Sequence, residues 1–257
     1  MILAVDIGNT NICVGTLEGL ETKNMFRLQT NTGRTDSEYA VLLHQLITLT
    51  GMGNERYEGA IISSVVPQLT IVMKNAIKLV TGCDAMVVGP GVKTGLNIRI
   101  DDPGSLGADM VVGAVAALQK YEPPLILIDM GTATTVSVLD GKGAFLGGAI
   151  LAGVNLSIGA LSSGTSQLPK IDLHNPGKVI GSNTEDCMKS GAVYGTAGMI
   201  DGIIDRMERE LGEKTTVIST GGLAPVIIPH CTHKILLEDD LLMLGLGVIY
   251  TKNTKNK

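Results

Sequence analysis

Tryptophan is absent from this sequence, and its 257 residues hold only two phenylalanines and five tyrosines. A core of this size must therefore be built from Val, Ile, Leu, Met and Ala, whose burial is the main driving force for folding. Proline is scarce at nine residues, whereas glycine reaches 33. That pairing argues against low-complexity disorder and for tight turns and close backbone approaches. The four cysteines, Cys13, Cys83, Cys187 and Cys231, are far apart and form no C-x-x-C pair. They argue against a disulfide framework and for reduced thiols in a cytoplasmic protein. No apolar run is long enough to span a bilayer. Asp6 interrupts the N-terminal apolar stretch, so it does not read as a signal peptide. The 20 Lys and Arg residues are scattered, and with 25 acidic residues the net charge is -5. Neither a nucleic-acid footprint nor a membrane partner is expected.

What is present is a repeated alternation of strand and helix patterns. Residues 2–5 and 11–15 read as two strands joined by Gly8-Asn9-Thr10. Thr35-x-x-Glu38 is a capping box opening a helix with Tyr39, Leu42, Leu43 and Leu46 at helical spacing, closed by Gly51. Strands at 60–66 and 85–89 flank a second helix ending near Val80. Residues 105–120 form a helix with Val111, Val112, Val115, Ala116 and Leu118 on its apolar face. Glu122-Pro123-Pro124 breaks it. A strand at 125–129 leads to a hairpin turning at Asp140-Gly141. Ser182-x-x-Glu185 is a second capping box, opening a long helix to about Leu211. A strand at 215–219, a Gly turn at 220–222, a short helix, a strand at 234–238 and a helix from Asp239 to about Tyr250 follow. The last seven residues read as a frayed end. The order predicts an α/β fold in two halves, 1–120 and 121–257, sharing a tight interface.

The two halves share a motif. Leu3 to Asn11 reads as an apolar run followed by Asp6-Ile7-Gly8-Asn9-Thr10. Leu125 to Thr135 reads as an apolar run followed by Asp129-Met130-Gly131-Thr132. The repeats lie nearly half the chain apart, which points to duplication of a domain rather than a short repeat array. Each glycine permits a tight turn that brings backbone N–H groups close to a ligand, and each threonine adds a hydroxyl. Two such turns would cradle a polyphosphate, with the carboxylates holding a metal ion and its waters. One Asp-x-Gly turn alone would be an ordinary strand end. Competing phosphate and nucleophile motifs fail: Gly89 to Gly95 lacks Walker A spacing, and no G-x-G-x-x-G or G-x-S-x-G occurs. His230, Cys231 and His233 are metal-ligand types, but with no second cluster they read as a loop. The 11 methionines read as aliphatic core.

At these residues the chain resembles the actin-like superfamily that includes the sugar kinases, with a duplicated RNase H-like fold around an interdomain nucleotide cleft. More closely, it resembles the type III pantothenate kinases. The resemblance runs through residues 6–11, 106–109, 129–135, 147–150, 167–171, 179–195 and 219–224. It implies transfer of the γ-phosphoryl group of ATP to the primary hydroxyl of pantothenate, giving 4'-phosphopantothenate, the first step towards coenzyme A. It implies that Asp6, Ile7, Gly8, Asn9, Thr10, Asn11, Ile12 and Cys13 hold the ATP phosphates, with Thr132 joining them. Asp129 would bind a monovalent cation, K+ or NH4+, and Mg2+ would accompany ATP. Asp109 would be the general base. Gly107, Ala108, Asp109 and Met110 would line the pantothenate pocket, and Thr184 would contact substrate. The Gly turn at 220–222 would lie on the adenosine side, and a homodimer is implied.

Asp109 has an independent rationale. It sits near the start of an apolar helix, where the dipole and free N–H groups favour the ionised form. An Asp with a pKa near about 4 is a weak base, which suffices for the loose transition state of phosphoryl transfer. A helix-start charge with no catalytic role is the other reading of the same residue. Two departures from the family stand out. Met110 occupies the place of its usual Arg, which would pair with a carboxylate; Arg99, Lys93 or a partner subunit are the substitutes. Ala152-Gly153 stands where the family has Pro-Gly. Two alternatives remain: a catalytically inactive nucleotide-binding regulator of the same family, and a kinase for another small alcohol.

Overall fold

A computed structural model describes residues 1–53 and 55–254. In chain order its first elements are β1 (Ile2–Ile7), β2 (Asn11–Glu18), β3 (Glu21–Gln29), α1 (Asp36–Leu49), β4 (Gly59–Ser64), α2 (Pro67–Thr81), β5 (Ala85–Val87), β6 (Asn97–Ile98) and α3 (Ala108–Lys120). Then come β7 (Leu125–Met130), β8 (Ala133–Leu139), β9 (Ala144–Ala152), α4 (Val154–Gly164), α5 (Thr184–Ser190), α6 (Thr196–Leu211), β10 (Thr216–Thr220), α7 (Ala224–Ile227), β11 (Ile235–Leu237) and α8 (Leu241–Thr254). They form two compact units, 1–96 with 101–120 and 240 onward, and 97–100 with 121–239. Residues 97–100 and 240 onward thus lie on the opposite side of the 120/121 divide from their sequence neighbours.

The duplication extends to topology. The first sheet runs β3-β2-β1-β4-β5, and the second runs β11-β10-β7-β8-β9-β6. In both, three antiparallel strands are followed by two parallel ones, so β1, β2, β3, β4 and β5 correspond to β7, β8, β9, β10 and β11. The strand β6, paired parallel to β9, is the second unit's addition.

The central strand β1 is buried along its whole length because helices cover both sides of its sheet. Leu3, Val5 and Ile7 pack with Tyr39, Leu43, Leu69 and Met73. Ile2 and Ala4 pack with Val112, Val115, Met243 and Leu246. Such a two-sided strand reads as a continuous apolar run, and each fully buried aliphatic side chain contributes about 1.5–3 kcal/mol. Asp6 breaks the run and is itself buried. In the second unit Ile126, Ile128 and Met130 pack with Val154, Ile158, Ile200 and Ile204.

Several expectations need correction. The strand β3 carries no apolar run: Thr22, Asn24, Phe26 and Leu28 turn inward while Lys23, Met25 and Arg27 face solvent. Its alternation is the signal, and Gly19 at φ +61° makes the turn before it. The Thr35–Glu38 capping box forms as expected, with the Glu38 N–H donating to Thr35 Oγ1 and the Thr35 N–H to Glu38 Oε2. The second cap is Asn183 rather than Ser182, because Asn183 Oδ1 accepts from the Asp186 N–H at 2.9 Å. That helix passes through a π turn, 191–195, between α5 and α6. The helix expected from Ser105 begins at Ala108; residues 103–105 are a 3₁₀ turn capped by Asp102, and Leu106 is extended. At the C-terminus Thr251–Thr254 continue α8 instead of fraying, and the three residues after them lie outside the described residues.

Candidate active site

The first turn joins β1 to β2. The strand β1 runs two residues further than expected, to Ile7, so that Asp6 lies inside it and Ile7 pairs with Ile12, while β2 begins at Asn11 as expected. Three residues, 8–10, make the turn, closed by the Gly8 N–H donating to Asn11 O at 3.0 Å. The segment after β3 braces it. Thr30 Oγ1 donates to Gly8 O at 2.7 Å and the Thr30 N–H to Thr10 O at 2.9 Å. Thr30 is held in turn by its neighbour Asn31, whose N–H donates to Tyr39 Oη and whose carbonyl accepts from it, both at 3.0 Å. Tyr39 has no exposed surface, so the brace is anchored in the core.

The second turn joins β7 to β8 and is one residue shorter, residues 131–132. The Gly131 N–H donates to Ala133 O, and the Gly153 N–H to Thr132 O, both at 3.1 Å. Gly153 follows β9 as Thr30 follows β3, so this bond is the counterpart of the Thr30–Thr10 bond. A Cβ at 153 would lie 2.2 Å from Thr132 O and 2.6 Å from Gly131 O, which only glycine avoids. The departure at Ala152-Gly153 therefore keeps the residue the turn requires. Gly221, at φ +100°, presses on the same strand: a Cβ there would lie 2.6 Å from Met130 N.

The acids have matching surroundings. Cys13, Asp6 and Ser63 are register partners across three adjacent strands, as are Thr135, Asp129 and Thr220 in the second unit. Each acid thus has a hydroxyl residue beside it on the parallel strand. Ser63 is fully buried and its Oγ has no hydrogen-bond partner in the protein. A buried, unsatisfied hydroxyl costs about 1–3 kcal/mol, and Thr16, Thr22, Tyr57, Thr134 and Ser219 share that state. Carboxylate and hydroxyl oxygens are the donors a hard cation such as Mg2+ takes, so the Asp6 carboxylate, with Ser63 beside it, fits one.

Asp109 occupies the first turn of α3. Its Oδ1 accepts from the Met110 N–H at 2.8 Å, and Gly107 O accepts the helix bond from Val111 at 3.1 Å. The expectation that the helix start favours the ionised form needs correction. Burial pushes the carboxyl above its ordinary value, outweighing the Met110 and Asp109 N–H groups that favour the anion. A raised proton affinity makes Asp109 a better base than an exposed Asp.

Thr184 is the first residue of α5 and lines a cavity of about 870 Å³ in the second unit. Leu151, Val154, Ile158, Cys187 and Met188 make its wall mostly apolar. Arg99, one substitute for the missing Arg at position 110, pairs with Asp140 at 3.8 Å, and Lys93 contributes its backbone to Asn253. At 229–234, His233 pairs with Asp205 at 3.0 Å and His230 packs on the Tyr194 ring. Among the described residues no three ligand-type side chains gather there. The predicted residues thus divide between the units: Asp6 to Cys13 and Gly107 to Met110 in the first, Asp129, Thr132 and Thr184 in the second. Thr30 and Ser63 escape a reading by motif, because only the pairing of distant strands brings them beside the first turn.

The model of the type III pantothenate kinase family matches residues 2–206. A type III pantothenate kinase of Moorella thermoacetica is 41% identical over 254 residues, covering 99% of this chain and 100% of that protein. One from an Exiguobacterium species is 42% identical over 255 residues, with 99% and 100% covered. Among solved structures, the inorganic polyphosphate/ATP-glucomannokinase of Arthrobacter sp. strain KM aligns over 98% of each chain with a TM-score of 0.51. At 13% identity that likeness concerns the fold alone, the α/β fold of actin-like ATPases and sugar kinases. With the family model spanning most of its length and relatives matched end to end, this chain belongs to the type III pantothenate kinase family.

Proposed function

We propose that this protein is an ATP-dependent kinase that phosphorylates the primary hydroxyl of pantothenate to 4'-phosphopantothenate, opening coenzyme A synthesis. Family membership across the full chain carries this reading. The retained Asp109 supports it, since a binding-only relative has no use for a base. Residues 6–13 and Thr132 take the ATP phosphates through N–H and hydroxyl donors. Asp6 would hold Mg2+; the ion neutralises phosphate charge when bound. Asp109 orients the pantothenate hydroxyl and accepts its proton. Residues 107–110 and Thr184 contact pantothenate, and the Gly turn at 220–222 lies on the adenosine side.

Asp129 binds a monovalent cation, K+ or NH4+. Replacing Asp129 with Ala is expected to remove activation by K+; K+ activation equal to wild type would overturn that role. The enzyme works as a cytoplasmic homodimer. Ile150, Leu156, Leu161, Val179 and Ile180 are exposed apolar residues that line or flank the Thr184 cavity, Ile180 at 85%. Surface of that kind marks an association site.

The test is ADP release by the purified protein with ATP, Mg2+ and K+, with and without pantothenate. Release that depends on pantothenate is expected. ADP binding without pantothenate-dependent turnover would point instead to another alcohol substrate or to a regulator.

A further inference from the structure

The two turns differ in one respect that the duplication makes visible. In each, the residue after the third strand donates its N–H to a carbonyl of the turn: Thr30 to Thr10 O, Gly153 to Thr132 O. Only in the first does that residue carry a side chain, and its hydroxyl ties back a second carbonyl, Gly8 O at 2.7 Å. The longer turn leaves room for it. In the shorter one a Cβ would meet two carbonyl oxygens.

A trans peptide is planar, so its C=O and N–H point in opposite directions. Fixing Gly8 O on Thr30 Oγ1 therefore fixes the Asn9 N–H pointing away from Thr30. The Thr30 N–H bond to Thr10 O does the same for the Asn11 N–H. A turn that binds phosphate needs N–H groups directed at the anion and carbonyls directed elsewhere, since a carbonyl oxygen turned inward would repel it. We propose that Thr30 is a positioning residue for the nucleotide: its hydroxyl holds the Gly8 carbonyl back so that the Asn9 N–H is presented to a phosphate oxygen. This rests on the reading of residues 6–13 as the phosphate turn. The bond through the Thr30 N–H survives any substitution but proline, so the hydroxyl's role is separable from that of the strand.

The experiment compares Thr30→Val, near-isosteric but without the hydroxyl, with Thr30→Ser, which keeps it. ADP affinity is measured by calorimetry with Mg2+ present, alongside KM for ATP, KM for pantothenate, kcat and melting temperature. Thr30→Val is expected to weaken ADP binding and raise KM for ATP about tenfold, as loss of one oriented donor implies. KM for pantothenate should not move. Thr30→Ser should return ADP affinity to within about threefold of wild type. A purely structural hydroxyl would lower the melting temperature and leave ADP affinity and KM for ATP alone. ADP bound by Thr30→Val as tightly as by wild type overturns the proposal, as does a serine variant as weak as the valine one. Should the valine variant fail to fold, Thr30→Ala against Thr30→Ser decides by the same criteria. A wild-type protein that binds no ADP overturns the phosphate turn itself along with this role.

Discussion

Replacing Asp109 with Asn is expected to cut kcat by about 10²–10⁴-fold, the usual worth of a positioned proton acceptor. ADP affinity should stay within a few-fold, because in this reading Asp109 serves the acceptor hydroxyl. Asn also keeps an oxygen to accept the Met110 N–H bond, so the helix start survives. The effect on stability has the opposite sign to the effect on rate. Burial raises the carboxyl's proton affinity in the folded protein above its unfolded value. The folded state is therefore favoured at low pH, and that advantage is lost as pH rises through the folded pKa. Above the folded pKa Asn removes a partly buried anion, so there Asp109→Asn should melt at or above the wild-type temperature. The acid limb of the wild-type kcat profile should lie above the ordinary Asp value of about 4 and vanish in the variant. A variant keeping most of its kcat would remove Asp109 from the base role, whatever its melting temperature.

Gly221→Ala should be among the most damaging single-methyl additions to the second unit. Two costs coincide: φ is +100°, and the new Cβ would sit 2.6 Å from Met130 N and 2.7 Å from Met130 C and O. Backbone atoms cannot rotate aside as a side chain can. Strain and overpacking together predict a loss of about 2–4 kcal/mol, or roughly 5–15 °C for a protein of this size. Activity should fall too, because the displaced strand carries Asp129 and leads into Thr132. Gly212→Ala is the control: Gly212 is also left-handed, at φ +78°, but nothing lies within 4 Å of its Cβ position. It should cost about 1 kcal/mol and leave turnover intact. Melting temperatures of the two variants decide the matter; if Gly221→Ala is no worse than Gly212→Ala, close packing on Met130 does not hold the turn.

The elements legible from sequence were those with strong local chemistry. The Thr35–Glu38 box and the Asp140-Gly141 turn satisfy their own polar groups within a few residues, and the strands read at 2–5 and 125–129 announce themselves as unbroken apolar runs. β3 was not legible, because only Phe26 and Leu28 are apolar among its inward residues and its partner β2 supplies the rest. The missed strand is the one that leads to Thr30. The cap at Asn183 was displaced by one residue because two candidates, Ser182 and Asn183, stand side by side and only three-dimensional geometry chooses between them.

By itself the sequence determined the α/β class, the duplicated Asp-x-Gly turns and the resemblance carried by Asp6, Asp109, Asp129 and their neighbours. These depend on residue order and spacing, which are fixed along the chain. The tertiary structure alone decided that residues 97–100 and 240 onward join the opposite units, and that Ser63 and Thr220 stand beside the two acids. It also decided that Thr30 and Gly153 brace the turns and that Asp109 holds its proton more tightly than a helix-start acid should. Register, close approach and desolvation are properties of segments brought together from far apart in the chain, and no local pattern records them.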